Sequence, residues 1–123
     1  MTDTKLLDSS LWLEYLYNGK YTEIVDSSSM VLVSAISLFE IKKKLTKEKI
    51  ELSKVEKSIE FVMKRSIIIP VTAEIAKKAV DFSNQHKLGT VDSVIYTSAI
   101  ISNAHFITRD NDFRGLANTS ILP

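Results

Sequence analysis

Asp8, Glu40, Asp92, Asp110 and Asp112 each stand at the end of an apolar run or at the opening of a helical pattern. Carboxylates gathered in one pocket repel one another, and a hard cation is one way to hold them ionised together. Mg2+ takes carboxylate and water oxygens in near-octahedral geometry, and Mn2+ is a common substitute. Such an ion keeps positions open for waters and phosphate oxygens. It acidifies a bound water and stabilises charge on a transferring phosphoryl group. The chemistry open to this set is metal-assisted hydrolysis of a phosphodiester.

Each acid also has a local role open to it. Asp8 can cap a helix, and Glu40 can be the third-position partner of a capping box. Asp92 can answer a helix dipole, and Asp110 and Asp112 can form a turn. What separates the joint reading from the local ones is where the elements place these residues.

Lys5-Leu6-Leu7 is a short bounded apolar run, a buried strand that ends at Asp8. Ser9 or Ser10 can cap a helix carrying Trp12, Tyr15 and Leu16, stopped by Gly19. A short helix fits Thr22–Asp26, and Met30–Val33 is a second apolar strand. Ser37 and Glu40 form a capping-box pattern that opens a helix running to about Leu45. Ser53 and Glu56 repeat it, with Val55, Ile59, Val62 and Met63 on one face. Ile67–Ile69 is a third strand, closed by Pro70. Thr72 caps a helix with Ile75, Ala76, Ala79, Val80 and Phe82 inward, and Gly89 ends that stretch. Thr90 opens a further helix through Val94, Ile95 and Ala99. Phe106–Thr108 is a fourth strand, Phe113–Leu116 a helical turn, and Ile121-Leu122 a last short strand.

Strands that are apolar throughout are covered on both faces. Their alternation with helices predicts a three-layer α/β fold, a mostly parallel sheet of about five strands flanked by helices. In open parallel sheets, ligands bind beyond the carboxyl ends of the strands, where the strand order reverses. Asp8, Glu40, Asp110 and Asp112 fall near that edge. Asp92 joins them if its helix points its N-terminus the same way.

Composition narrows the classes. At 123 residues the chain has the length of one domain, 1–123. It has no cysteine, which excludes disulfides, thiolate metal sites and cysteine nucleophiles. Apolar residues make up 45% and charged residues 25%, so the bulk of the chain can bury a core. No apolar run approaches the ~18–20 residues that span a bilayer. The opening residues do not read as a secretory signal, so a cytoplasmic protein without a membrane partner is expected. Net charge is +1, but residues 42–65 hold nine Lys/Arg against four Glu. A basic segment beside an acidic site suits a polyanion ligand, and a solvated helical face gives the same pattern. His86 and His105 stand far apart without metal spacing, and Gly19, Gly89 and Gly115 stand alone, so neither a triad nor a phosphate loop is indicated.

The ordered motifs resemble the PIN-domain nucleases. Leu6-Leu7-Asp8-Ser9-Ser10 resembles their opening strand and first acid, and Val33 to Glu40 their second strand and helical Glu. Asp92 to Ala99 resembles the third acid on its helix, with Ser93 where the family most often has Ala. Thr108-Arg109-Asp110-Asn111-Asp112-Phe113 resembles the closing acidic motif. The short single-domain length resembles the VapC-type toxins of toxin–antitoxin systems. The resemblance implies an Mg2+- or Mn2+-dependent endoribonuclease acting on structured or single-stranded RNA. It implies a homodimer held in check by a VapB-type antitoxin that inserts a C-terminal segment into the site. It makes Asp8, Glu40, Asp92 and Asp110 the catalytic metal ligands and Asp112 an accessory one. Ser9 matches the small hydroxyl residue beside the first acid, in contact with metal water or phosphate. Arg109 either steadies the RNA backbone or pairs with an acid.

Two other classes also place acids at strand ends. A flavodoxin-like phosphoacceptor domain needs an acidic pair after strand one and a Lys after the last strand, and an Asp-x-Asp phosphatase needs a second acid two residues after the first. Asp8 is followed only by Ser9 and Ser10. A catalytically silent PIN fold that holds RNA or protein is the alternative that keeps the fold.

Overall fold

In the computed structural model, which describes residues 3–123, every predicted apolar run becomes a strand. Strand β1 (Thr4–Leu7) is followed by α1 (Ser9–Asn18) and the short α2 (Thr22–Val25). Strand β2 (Met30–Ser34) leads directly into α3 (Ala35–Lys47), then α4 (Leu52–Arg65) and β3 (Ile67–Ile69). After α5 (Ala73–His86) and α6 (Thr90–Ile101) come β4 (His105–Thr108), a 3-10 turn (Asn111–Phe113) and β5 (Thr119–Ile121). The strands form one sheet in the order β3-β2-β1-β4-β5, and every neighbouring pair is parallel. The chain builds outward from β1 to β3, then returns across the sheet to start β4 on the other side of β1. The order therefore reverses between β1 and β4. Among the described residues no helix is long and apolar enough to cross a membrane.

Side chains alternate across a strand, and here the alternation feeds two cores. Leu7, Val31, Val33 and Ile107 point to one face, where they meet Leu11, Trp12, Ile41, Leu45, Val55 and Val62 from α1, α3 and α4. Leu6, Leu32 and Phe106 point to the other, against Ile95, Tyr96 and Ala99 of α6. Leu6 and Leu7 are both fully buried. Truncating either to Ala would cost about 2–5 kcal/mol.

One aromatic chain ties the second core to the site. Phe82, Tyr96, Phe106 and Phe113 meet edge to face in series, with centroids 5.0, 6.0 and 4.8 Å apart. Phe113 closes the 3-10 turn, so its packing on Phe106 pins that turn to β4.

Element boundaries differ from expectation where a different group does the capping. Asp8, not Ser9 or Ser10, caps α1, accepting the Ser9 N–H at 2.8 Å. Helix α3 begins at Ala35, with Ser34 as its cap and Ser37 buried inside it. The Ser37/Glu40 spacing is thus not a capping box, and the helix runs on to Lys47. Helix α4 starts at Leu52 after Glu51, which makes no side-chain cap. The Ser53 hydroxyl instead donates to Glu51. Helix α5 is capped by Thr72 as expected, but it ends at Lys87 in the left-handed region (φ 57°), and Gly89 precedes α6 as its N-cap. Met63, Ala76 and Val80 are exposed rather than inward. The last helical turn falls at Asn111–Phe113 and the last strand at Thr119–Ile121, each a little earlier than expected.

Candidate functional site

The reversal point between β1 and β4 sets the site. Asp8 is the first residue after β1, and its backbone N–H still bonds the Ile107 carbonyl of β4 at 2.9 Å. Asp8 is 4% exposed. Its Oδ1 accepts from the Ser9 N–H, and its Oδ2 accepts from the Ser10 hydroxyl at 3.0 Å and the Thr108 hydroxyl at 2.7 Å. The same two hydroxyl oxygens accept from the backbone. Ser10 Oγ takes the Arg109 N–H and Thr108 Oγ1 takes the Asp110 N–H, each at 3.0 Å. Each hydroxyl spends its proton on Asp8 and a lone pair on the β4 loop. Two short polar side chains thereby lock the first acid to the loop bearing the last two.

The other acids arrive from three elements. Asp110 caps the 3-10 turn, its Oδ1 accepting the Asp112 N–H at 2.9 Å. Asp92 lies in the first turn of α6, which does point its N-terminus at this edge. Carboxylate oxygens of Asp92, Asp110 and Asp112 lie within 4.8 Å of one another. Glu40 sits in the second turn of α3 and accepts the Ser9 hydroxyl at 3.0 Å. Ser9 therefore bridges the cluster, its N–H on Asp8 and its hydroxyl on Glu40.

Electrostatics joins the five into one group. Burial pushes the Asp8 carboxyl above its ordinary value; its three hydrogen bonds oppose this, and the nearby Asp110 adds to it. Burial also raises Glu40, against the Ser9 bond and with the Asp8 charge. Asp92 rises to about 6, through burial first and then the charges of Asp8, Asp110, Glu40 and Asp112. Each of these causes disfavours the ionised form. Among the described residues no ion pair includes any of the five acids. An all-oxygen set of carboxylates without a cation of its own fits a hard divalent ion, and neither the donor type nor the spacing suits a thiolate- or imidazole-loving metal.

Arg109 follows β4 but turns its guanidinium to other partners. Its Nη1 pairs with Glu14 at 3.2 Å, and its Nε donates to the Tyr21 hydroxyl at 3.0 Å and the Pro123 carbonyl at 3.3 Å. Of the two roles open to Arg109, this geometry is the pairing with an acid. Sequence reasoning passed over Ser10 and Thr108 as functional groups. The signal was a small hydroxyl residue next to an acid at the ends of two strands, and it gains meaning only once those strands are neighbours. Trp12 and Tyr96 are core residues, and Tyr15 stacks on Phe61 with centroids 5.6 Å apart.

A family model of the PIN domain matches residues 5–118. No curated protein sequence gives a significant match. Solved structures share the fold. A chain of a toxin–antitoxin complex from Klebsiella pneumoniae superposes with a TM-score of 0.77 at 22% identity, covering 94% of this chain and 95% of its own. A chain of VapBC2 from Rickettsia felis, solved bound to a DNA fragment from its promoter, gives 0.74 at 19% identity, covering 97% of each. VapC20 from Mycobacterium tuberculosis, a toxin that cleaves the sarcin-ricin loop, gives 0.67 at 15% identity, covering 82% of this chain and 85% of its own.

Proposed function

The chain belongs to the PIN-domain family, and from that premise we propose that it is a single-domain (1–123) endoribonuclease dependent on Mg2+ or Mn2+, the toxin of a VapBC-type pair. The observation that carries this reading is the convergence of five carboxylates on one sheet edge, none of them in an ion pair among the described residues.

Asp8, Asp92 and Asp110 would hold the ion with Glu40, and Asp112 is the accessory ligand. When bound, the ion supplies Lewis acidity, making an adjacent water more acidic and stabilising charge on the phosphodiester. The protein's own groups do the positioning. Thr108 and Ser10 aim Asp8 Oδ2, and the Ser9 backbone holds Oδ1. The Ser9 hydroxyl orients Glu40 across the cluster. The 3-10 turn sets Asp110 and Asp112 at a fixed spacing. Preorganised ligands of this kind spend no energy on rearrangement when substrate arrives.

The partner class rests on the neighbours. Structures of this fold have been solved as toxin–antitoxin complexes, which supports a VapB-type antitoxin as the partner here. We further propose a cytoplasmic homodimer, which light scattering on the purified protein tests directly.

The test of activity is cleavage of mixed cellular RNA with Mg2+ or Mn2+, with and without EDTA, beside Asp8→Asn. Discrete fragments that vanish with EDTA and in the variant support the reading. Full activity in excess EDTA, or in Asp8→Asn, would overturn it. A folded, Mn2+-binding protein that leaves all RNA intact would replace it with a silent module that holds RNA or protein.

A further inference from the structure

Beside the carboxylates lies a groove of about 360 Å3, lined by Ile36, Phe39, Glu40, Lys43, Lys44, Lys47 and Val91. Glu40 belongs to both the groove and the site. Val91 directly precedes Asp92. The groove therefore opens from the acid cluster between α3 and the start of α6.

Glu40, Lys43 and Lys47 are spaced three and four residues apart, so they share one face of α3. From Glu40 to Lys47 the helix rises about 10 Å, roughly the run of three stacked nucleotides. Phe39 is 60% exposed, with the Lys43 ammonium 5.7 Å from its ring centroid. The neighbouring lysines are already engaged: Lys42 pairs with Glu56 at 3.0 Å and Lys44 with Glu48 at 3.2 Å. Among the described residues Lys43 and Lys47 make no ion pair. Phe39 thus presents an open aromatic face beside the Lys43 ammonium, at the edge of the acid cluster.

We infer that this groove seats the RNA strand on one side of the scissile phosphate, with Lys43 and Lys47 on its backbone and one base stacked on Phe39. The inference rests on the endoribonuclease reading and adds to it the residues that hold substrate. The two features divide the work. Ammonium groups attract phosphates without regard to sequence, and an aromatic face takes any base. They also offset the repulsion that an acidic site presents to a polyanion. Of the α3 lysines, Lys43, Lys44 and Lys47 line the groove, and Lys44 is already paired there with Glu48.

The test measures binding of a short fluorescent single-stranded RNA by anisotropy over a range of salt. Mn2+ is present, and Asp8→Asn is in the background to stop cleavage. Adding Lys43→Ala and Lys47→Ala together should weaken binding and lower the slope of log affinity against log salt by about 1.4. Phe39→Ala should weaken binding about tenfold with the slope unchanged, and Phe39→Trp should retain it. Lys64→Ala, on α4 and paired with Glu60, should change nothing. With Asp8 restored, the groove variants should raise KM while kcat stays near the parent value. If the parent cleaves RNA and the groove variants bind and cleave as the parent does, the groove assignment fails and the endoribonuclease reading stands. If the parent neither binds nor cleaves RNA, both fall. If the variants keep RNA affinity but lose a polyglutamate peptide that the parent binds, the groove is a peptide seat and the assignment is overturned. All the substituted groove residues are on the exposed side of α3, so unchanged thermal melts should accompany every result.

Discussion

Strand β1 carries an aspartate at each end, and the two are treated in opposite ways. Asp3, before the strand, accepts from the Lys5 ammonium at 2.6 Å and from the Ser29 hydroxyl. Those bonds, the Lys5 one first, hold its carboxyl below the ordinary value. Asp8, after the strand, is buried and meets only neutral donors. Burial raises its carboxyl, and four more acids gather nearby. The chain supplies a cation where the carboxylate is structural. At the other edge, among the described residues, no cation pairs with the acids. A buried carboxylate without a counter-charge is costly, so an arrangement of five points to a charge brought from outside.

Exchanging both charges gives the largest contrast. Asp8→Asn should lower RNA cleavage at least about 100-fold, at or beyond the upper end of what losing a metal's supporting groups costs. Its melting temperature should hold or rise. The Ser10 and Thr108 hydroxyls each have a lone pair to accept an amide proton, and a buried charge has gone. Asp3→Asn should leave cleavage at the parental rate. Equal losses in the two variants, measured at the same Mn2+ concentration, would erase the distinction between the edges.

A smaller but more diagnostic effect comes from the hydroxyls. Thr108→Val keeps the shape of a fully buried side chain but removes the donor to Asp8 and the acceptor of the Asp110 N–H. Mn2+ affinity should fall about 10–100-fold, and unfolding in urea should show a loss of about 1–3 kcal/mol. Ser29→Ala removes the equivalent hydroxyl at the opposite edge and should not change metal affinity. Calorimetric titration with Mn2+ separates the two.

The acids were legible in the sequence and their fixings were not, for a physical reason. A short bounded apolar run such as Leu6-Leu7 reads as a covered strand, and parallel sheets gather their carboxyl ends on one edge. Asp8, Glu40, Asp110 and Asp112 could therefore be placed together from chain order alone, and Asp92 only if its helix pointed the same way. The bonds that orient them join residues distant in sequence, as Thr108 does Asp8 and Ser9 does Glu40. No local pattern encodes such a pair. Helix starts fail for a related reason. Ser34 and Ser37 are equally good caps by composition, and the choice falls to Ser34 because it is the last residue of β2. The end of α5 at Lys87 needs a left-handed residue that Gly89, two positions on, seemed better suited to supply.

The two edges should also separate by pH. Raised carboxyls at the site bind protons in the folded state that the unfolded chain has already lost. Stability from Asp92 is therefore present near pH 4, falls as pH rises through about 6, and stays low above it. Asp3 works the other way, stabilising above its ordinary value and losing that as the pH falls further into acid. Metal-free protein should accordingly melt a few degrees higher at pH 5 than at pH 7, with about 1 kcal/mol worth roughly 4–8 °C in a domain near this size. Asp92→Asn should shrink that difference, and Asp3→Asn should not. Saturating Mn2+ should raise the melting temperature more at pH 7 than at pH 5, because a cation takes over the role of the proton. A flat melting profile between pH 5 and 7 would mean that the cluster is solvated well enough to need no ion.

Ser9→Ala gives the smallest effect and asks the finest question. The Ser9 hydroxyl donates to Glu40 at 3.0 Å. Its loss removes one hydrogen bond to a half-buried carboxylate, worth about 1 kcal/mol once water competes. Cleavage should slow about fivefold. If Ser9 only orients Glu40, the loss appears in kcat and KM for RNA stays at the parental value. If Ser9 touches the phosphate, KM rises as well. The first result would make Ser9 part of the same neutral scaffold as Ser10 and Thr108. The carboxyl edge of β1 would then be a frame of uncharged donors built to hold acids apart, with Lys43 and Lys47 the cations offered to the substrate from the neighbouring groove.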